Sequence, residues 1–167
     1  MNFGTLMLSG LILGFSLSPF EQGNSRGSIE GAWRVAEVQS VLGDGRTKTA
    51  YPKESLVIIS DGFYSFCWAA ARSYTDTWQM PDSEKVARFN SSLVNTGRYT
   101  VTGSILEMHP QLALYPKFVG GTASFRYSFS GDTLVLTGIT VESPDGVRLP
   151  LYVQGGHTVS KLIRVKR

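Results

Sequence analysis

From Gly31 onward the chain alternates apolar and polar residues in short runs, and small turn-forming pairs separate the runs. Gly31–Val41 reads as a first strand, ended by Gly43-Asp44-Gly45, where residues tolerate positive φ. Residues 56–60 and 63–68 read as a hairpin about Asp61-Gly62, a pair suited to the type I′ turn whose twist matches that of paired strands. In that register Ile59 faces Tyr64 and Val57 faces Phe66, with Trp68 on the same side. Ile58, Ser65 and Cys67 take the other side. Residues 98–102 and 105–109 make the next hairpin, turning at Thr102-Gly103 or at Gly103-Ser104. Either register sets Tyr99 and Val101 on the side of Leu106 and Met108, because the two differ by an even number in the pairing sum. Around Gly131, Phe125, Tyr127 and Phe129 share a side with Leu134 and Leu136, which leaves Arg126 and Thr137 on the wet face. Pro144-Asp145-Gly146 is a further turn, and 158–165 offers a last strand.

Between Pro81 and Gly97 the alternation gives way to helical spacing. Pro81-Asp82-Ser83-Glu84 reads as a helix start, with Asp82 or Ser83 capping free amides and Glu84 favourably placed in the first turn. Val86, Phe89 and Leu93 follow as one narrow apolar stripe, and Asn95-Thr96-Gly97 ends it. Pro110, Pro116, Gly120 and Gly121 mark an irregular loop that carries an apolar stretch at 112–114. About eight sequential antiparallel strands suffice to close a sheet and remove its edges. The expected fold is therefore all-β: a single antiparallel up-and-down barrel with one amphipathic helix inserted between strands. Its expected interior is Trp33, Val35, Val57, Ile59, Tyr64, Phe66, Trp68, Tyr99, Val101, Leu106, Met108, Phe125, Tyr127, Phe129, Leu134 and Leu136.

The bulk properties agree with one such domain. At 167 residues the chain can bury about two thirds of its unfolded surface. Charged residues make up 17%, below the usual share of about 25%, and aromatics 11%, which favours a sizeable core over disorder. Cys67 is the single cysteine, so no intramolecular disulfide can form. The net charge of +3 is small and partly terminal, in Lys161, Arg164, Lys166 and Arg167, so no nucleic-acid partner is expected. Residues 3–17 differ in kind: apolar apart from Thr5, Ser9, Ser16 and glycines, they look like the core of a signal peptide, with Ser16 and Ser18 before a cleavage site. No Lys or Arg precedes that run, Pro19 is an unusual neighbour for cleavage, and the run is shorter than the roughly 20 residues of a membrane span. The expected organisation is a signal-like segment and flexible leader at 1–27 and a barrel domain at 28–167. An extracytoplasmic location follows if the signal is real, with membrane contact only through that segment if it stays uncleaved.

The residues carry a family resemblance. Gly31-Ala32-Trp33-Arg34, Ser60-Asp61-Gly62-Phe63-Tyr64, Pro81-Asp82-Ser83-Glu84-Lys85-Val86 with Phe89-Asn90, Gly97-Arg98-Tyr99, and Phe118-Val119-Gly120-Gly121 leading to Gly131-Asp132-Thr133-Leu134 resemble, in order and spacing, the lipocalin-like domain family within the calycin barrels. The resemblance covers nearly everything from Gly31 to Val165. It implies an antiparallel barrel with room for a small apolar molecule, and it suggests Arg164 of the last strand over Trp33, a cation–π contact. Alternation in that strand points the other way, since Val159, Ile163 and Val165 form its more apolar side and would turn Arg164 outward. The pair stays open at this point.

The leading functional expectation is an exported, non-catalytic binding module that holds a small hydrophobic or amphipathic molecule in the barrel. Its expected ligand-binding residues are Trp33, Glu37, Tyr64, Phe66, Trp68, Tyr99, Met108, Phe125 and Tyr127, with the helix at 82–95 and the loop at 110–121 near the mouth. One alternative is an isomerase, cyclase or lyase using Glu37 or a tyrosine as acid or base; alternation from Trp33 turns Glu37 inward, although such a residue also suits the wet rim. Another is a structural module whose aromatics fill the core. His109 and His157 are the two histidines and have no metal-ligand spacing, so neither a metal nor a cofactor is expected. Nucleophile elbows and phosphate-binding glycine motifs are lacking. Cys67 is expected as a small filler on the face away from the aromatics.

Overall fold

A computed structural model describes residues 28–70 and 78–166. The signal-like stretch lies outside the described residues. The described chain forms β1 (Gly31–Val41), β2 (Thr47–Ala50), β3 (Glu54–Ser60), β4 (Phe63–Ala69), α1 (Asp82–Asn90), β5 (Ser92–Thr102), β6 (Ile105–Ala113), β7 (Thr122–Ser130), β8 (Thr133–Glu142), α2 (Pro150–Val153) and β9 (His157–Arg164). Strands β3 to β9 pair in sequence, all antiparallel, and β1 joins β3 to β9, so eight strands close a ring. Strand β2 lies on the same edge of β1 as β3, pairing Val38–Val41 where β3 pairs Gly31–Trp33. Ser55 spans the gap between them: its hydroxyl accepts from the Val35 amide at 3.0 Å and donates to the Val35 carbonyl at 3.3 Å. No backbone group of Val35 is thereby left unpaired.

The turns behave as their residues dictate. Asp61 and Gly62 have φ of 51° and 78°, the two positive values of a type I′ turn. Thr102 pairs with Ile105 and Ser130 with Thr133, which settles both registers on Gly103-Ser104 and Gly131-Asp132. The expected facing partners follow: Ile59 with Tyr64, Val57 with Phe66, Tyr99 with Met108, and Phe129 with Leu134. Trp33, Val57, Ile59, Leu106, Leu134, Leu136 and Leu162 are fully buried at the centre.

Three local expectations are corrected. The helix stops at Asn90, not Asn95, because Ser92 already pairs with Ala69 and Leu93 with Trp68; cross-strand pairing outweighs the helical spacing of Leu93. Neither Asp82 nor Ser83 caps it: Pro81 occupies the cap position, and no side chain bonds there. Its apolar stripe buries nothing fully; Val86 stays exposed, and Phe89 stacks against Tyr115 at 4.8 Å between ring centres. In β9 it is Ser160 and Leu162 that face inward, while Ile163 and Val165 lie outside, so the apolar count of the strand misread its parity.

One end of the barrel is closed, and Arg164 closes it. Its guanidinium stands 4.1 Å over the Trp33 ring and donates to the carbonyls of Glu30 at 2.9 Å and Ser28 at 2.6 Å. The Trp33 indole donates to the Ile29 carbonyl at 2.9 Å, and the Tyr99 hydroxyl to Glu30 at 2.7 Å. The segment before β1 is thus strapped across the barrel bottom. Burial, then the Glu30 hydrogen bond and charge, push the Tyr99 phenol up to about 12. Burial alone pushes Tyr64 up as well. A phenol whose folded pKa exceeds its unfolded value near 10 keeps its proton longer when folded, so this stability is complete below about pH 10 and is lost as pH rises through the folded pKa. Circular dichroism during alkaline titration is expected to show unfolding that begins above about pH 10, and Tyr64→Phe with Tyr99→Phe should move it to higher pH.

Candidate ligand-binding site

The opposite end is hollow. A cavity of about 370 Å³ lies there, walled by Val38, Phe66, Trp68, Leu93, Met108, Phe125, Leu136 and Val141, with Phe118 from the β6–β7 loop and Leu149 before α2. Polar groups interrupt this wall at Ser40, Lys48, Asn95, Thr122, Glu142, Tyr152, Thr158 and Ser160.

Register breaks shape this end. Pairing shifts between Val35 and Glu37 in β1, opposite Thr96 and Gly97 in the β5–β6 ladder, and between Ser124 and Phe125 in the β7–β8 ladder. Each break inserts an extra residue, re-aims the side chains beyond it and bends the strand. Trp33 and Val35 face inward before the first break; Val38 and Ser40 face the cavity after it.

That shift decides the fate of Glu37. It pairs with Lys161, which faces outward; its carboxylate, largely covered, lies 3.1 Å from the Lys161 ammonium and does not line the cavity. The inward placement drawn from alternation is corrected, because alternation counts residues and cannot register an inserted one.

The remaining expected site residues divide by height in the barrel. Phe66, Trp68, Met108 and Phe125 line the cavity. Trp33, Tyr64, Tyr99 and Tyr127 belong to the solid, closed half: Trp33 lies under Arg164, Tyr99 holds Glu30, and the Tyr127 hydroxyl donates to the Gly103 carbonyl at 3.1 Å. Tyr64 is buried in that core, and its hydroxyl has no partner among the described residues.

Several wall residues carry no signal of a site in the sequence. Asn95 reads as a helix terminator, and Ser40, Ser160, Tyr152 and Thr158 belong to no motif. Only the alternation of Ser160 with Leu162 hints at an inward side chain. Tyr152 comes from α2, and its hydroxyl meets the Thr158 hydroxyl at 3.0 Å; burial pushes this phenol up. Gly138 makes room for the pair, since a Cβ there would press into the Tyr152 hydroxyl and come within 2.7 Å of Thr158 Oγ1. Next to Phe118, Lys117 in the β6–β7 loop holds Asp145 of the β8–α2 turn at 2.7 Å, and Glu142 holds Arg148 at 2.7 Å. Hydrogen bonds from Lys117 and Ser143 bring the Asp145 carboxyl down to about 2.

Helix α1 stands apart from the cavity. Its Phe89 and Arg88 bound an outer groove of about 620 Å³ over Leu56, Cys67 and Val94, and Arg88 holds Glu54 at 2.6 Å. Cys67 thus sits on the face away from the core aromatics, 3.5 Å from the Ser65 hydroxyl. His109 bonds Thr122 at 3.4 Å, and among the described residues no three His, Cys, Asp or Glu side chains gather as a metal site.

A closed antiparallel ring, sealed at one end by a Trp–Arg stack and hollow at the other, defines a calycin-type barrel. A family model described as a lipocalin-like domain matches residues 30–145, and the chain belongs to that family. No curated protein and no solved structure matches the chain.

Proposed function

We propose that the protein binds one small, mostly apolar molecule in the cavity between Trp68, Met108, Phe125 and Tyr152. The hollow itself carries this conclusion. An eight-stranded barrel has room either for side chains or for one small ligand. Here side chains fill one half, and about 370 Å³ stays open in the other. At about 30 Å³ per atom, the share of a water molecule in the liquid, that space suits roughly a dozen non-hydrogen atoms. Apolar walls with a few polar groups are how such pockets gain both affinity and orientation. The acid–base alternative draws less support: Glu37 faces Lys161 and does not line the cavity, Lys48 is exposed, Glu142 is held by Arg148, and the Tyr152 phenol is engaged with Thr158.

Native mass spectrometry of the purified protein with monoterpenes and apolar dyes is expected to show a one-to-one adduct, with a change in tryptophan fluorescence as Trp68 loses its water. Ala123 lines the cavity between Met108 and Val141, so Ala123→Trp should fill the space and abolish uptake while the thermal midpoint stays within a few degrees. Absence of any adduct across the panel, with fluorescence unchanged, would refute the proposal.

A further inference from the structure

Resting on that reading, we infer that the ligand is an uncharged, oxygen-bearing molecule, held at opposite walls of the cavity by the Ser160 hydroxyl and the Asn95 carboxamide. Ser160 is 8% exposed, and its side chain lines the cavity. Neither it nor Asn95 has a side-chain hydrogen-bond partner among the described residues. Ser160 is buried and Asn95 half-buried; polar side chains drawn away from bulk solvent favour a hydrogen-bond partner, so these two, facing a mostly apolar hollow without one in the protein, mark where a bound molecule completes the bonding.

Their placement adds direction. In the ring order β1-β3-β4-β5-β6-β7-β8-β9, Asn95 on β5 and Ser160 on β9 stand four strands apart among eight, on opposite sides of the barrel. Phe66, Leu93, Met108 and Phe125 fill the wall between. A molecule with an apolar middle and an oxygen at each end meets all of these at once. Ser160 donates to a hydroxyl, ether or carbonyl oxygen, and Asn95 donates to or accepts from the other.

Charge is disfavoured by where the wall carries it. Lys48 is exposed at the rim on β2, and Glu142 is held by Arg148. A carboxylate or ammonium drawn between Phe66 and Phe125 would lose its hydration with no counter-charge beside it.

Isothermal titration of the full-length protein at neutral pH tests this with three probes on one carbon skeleton: terpin, a diol with hydroxyls at its two ends, the hydrocarbon p-menthane, and the carboxylate perillate. Terpin and p-menthane are expected to bind and perillate to bind more weakly than terpin. Ser160→Ala and Asn95→Leu should each weaken terpin about fivefold, the worth of one hydrogen bond, and leave p-menthane unchanged or tighter. Binding of p-menthane also certifies that each variant is folded, and should one variant misfold the other gives the same readout. Equal weakening of terpin and p-menthane would make the two residues structural and overturn the inference. So would tighter binding of perillate, or binding of p-menthane without terpin, either of which leaves the cavity reading standing. Failure of all three probes would remove the cavity reading and this inference with it.

Discussion

Trp33→Ala is expected to cost the barrel about 3–5 kcal/mol, the range for emptying a large buried aromatic site. The indole is 1% exposed, and its ring packs against Phe129 at 6.3 Å between centres. More than packing is lost. Arg164 loses the ring on which its guanidinium rests at 4.1 Å, and the Ile29 carbonyl loses its donor at 2.9 Å. Strap residues Ser28–Glu30 are held by these same groups, so the closed end should loosen as a unit. Urea unfolding read by circular dichroism measures the loss. A change under about 1 kcal/mol would mean that the strap and Arg164 contribute little to the closed end.

A single methyl group at Gly97 is expected to cost about 3 kcal/mol, at the upper end for overpacking. Gly97 lies where the β5–β6 register shifts, opposite Pro110. A Cβ there would press into the His109 carbonyl oxygen and stand 2.9 Å from the Gln111 amide nitrogen. These are backbone atoms of a paired strand, which cannot swing aside as a side chain does, so the β5–β6 ladder itself must part. Gly45 supplies the comparison: a Cβ there meets nothing within 4 Å, although φ is 83°. Gly45→Ala should therefore cost only the left-handed backbone penalty of about 1–2 kcal/mol. Thermal unfolding of the two variants side by side separates crowding from backbone strain, and equal midpoints would refute the crowding argument at Gly97.

Much of the barrel was legible because hairpin chemistry is local. Asp61-Gly62 dictates its turn from two residues, and the even pairing sum kept Tyr99 with Met108 and Phe129 with Leu134 whichever register held. The cavity was half legible. Phe66, Trp68, Met108 and Phe125 reach it by simple alternation, yet alternation cannot say how high in the barrel an inward residue sits, and so it grouped Trp33, Tyr64, Tyr99 and Tyr127 with them. Leu93 and Asn95 were hidden for another reason: their spacing fits a helix as well as a strand, and only pairing with Trp68 and Phe66 chooses between the two.

The amino-acid order alone determined a one-sided antiparallel meander, its turns, and most of the side chains that leave water, because each depends on residues a few positions apart; it did not determine those of β9, nor Val101, which stays 42% exposed. Tertiary structure alone decided where the meander closes, that Arg164 and not its apolar neighbours turns inward, that Glu37 faces out, and that one end stays hollow. The last two outcomes hang on inserted residues in β1 and in the ladders of β5–β6 and β7–β8. Such a shift has no composition of its own, since it is a mismatch between two strands distant in sequence and exists only once they pair.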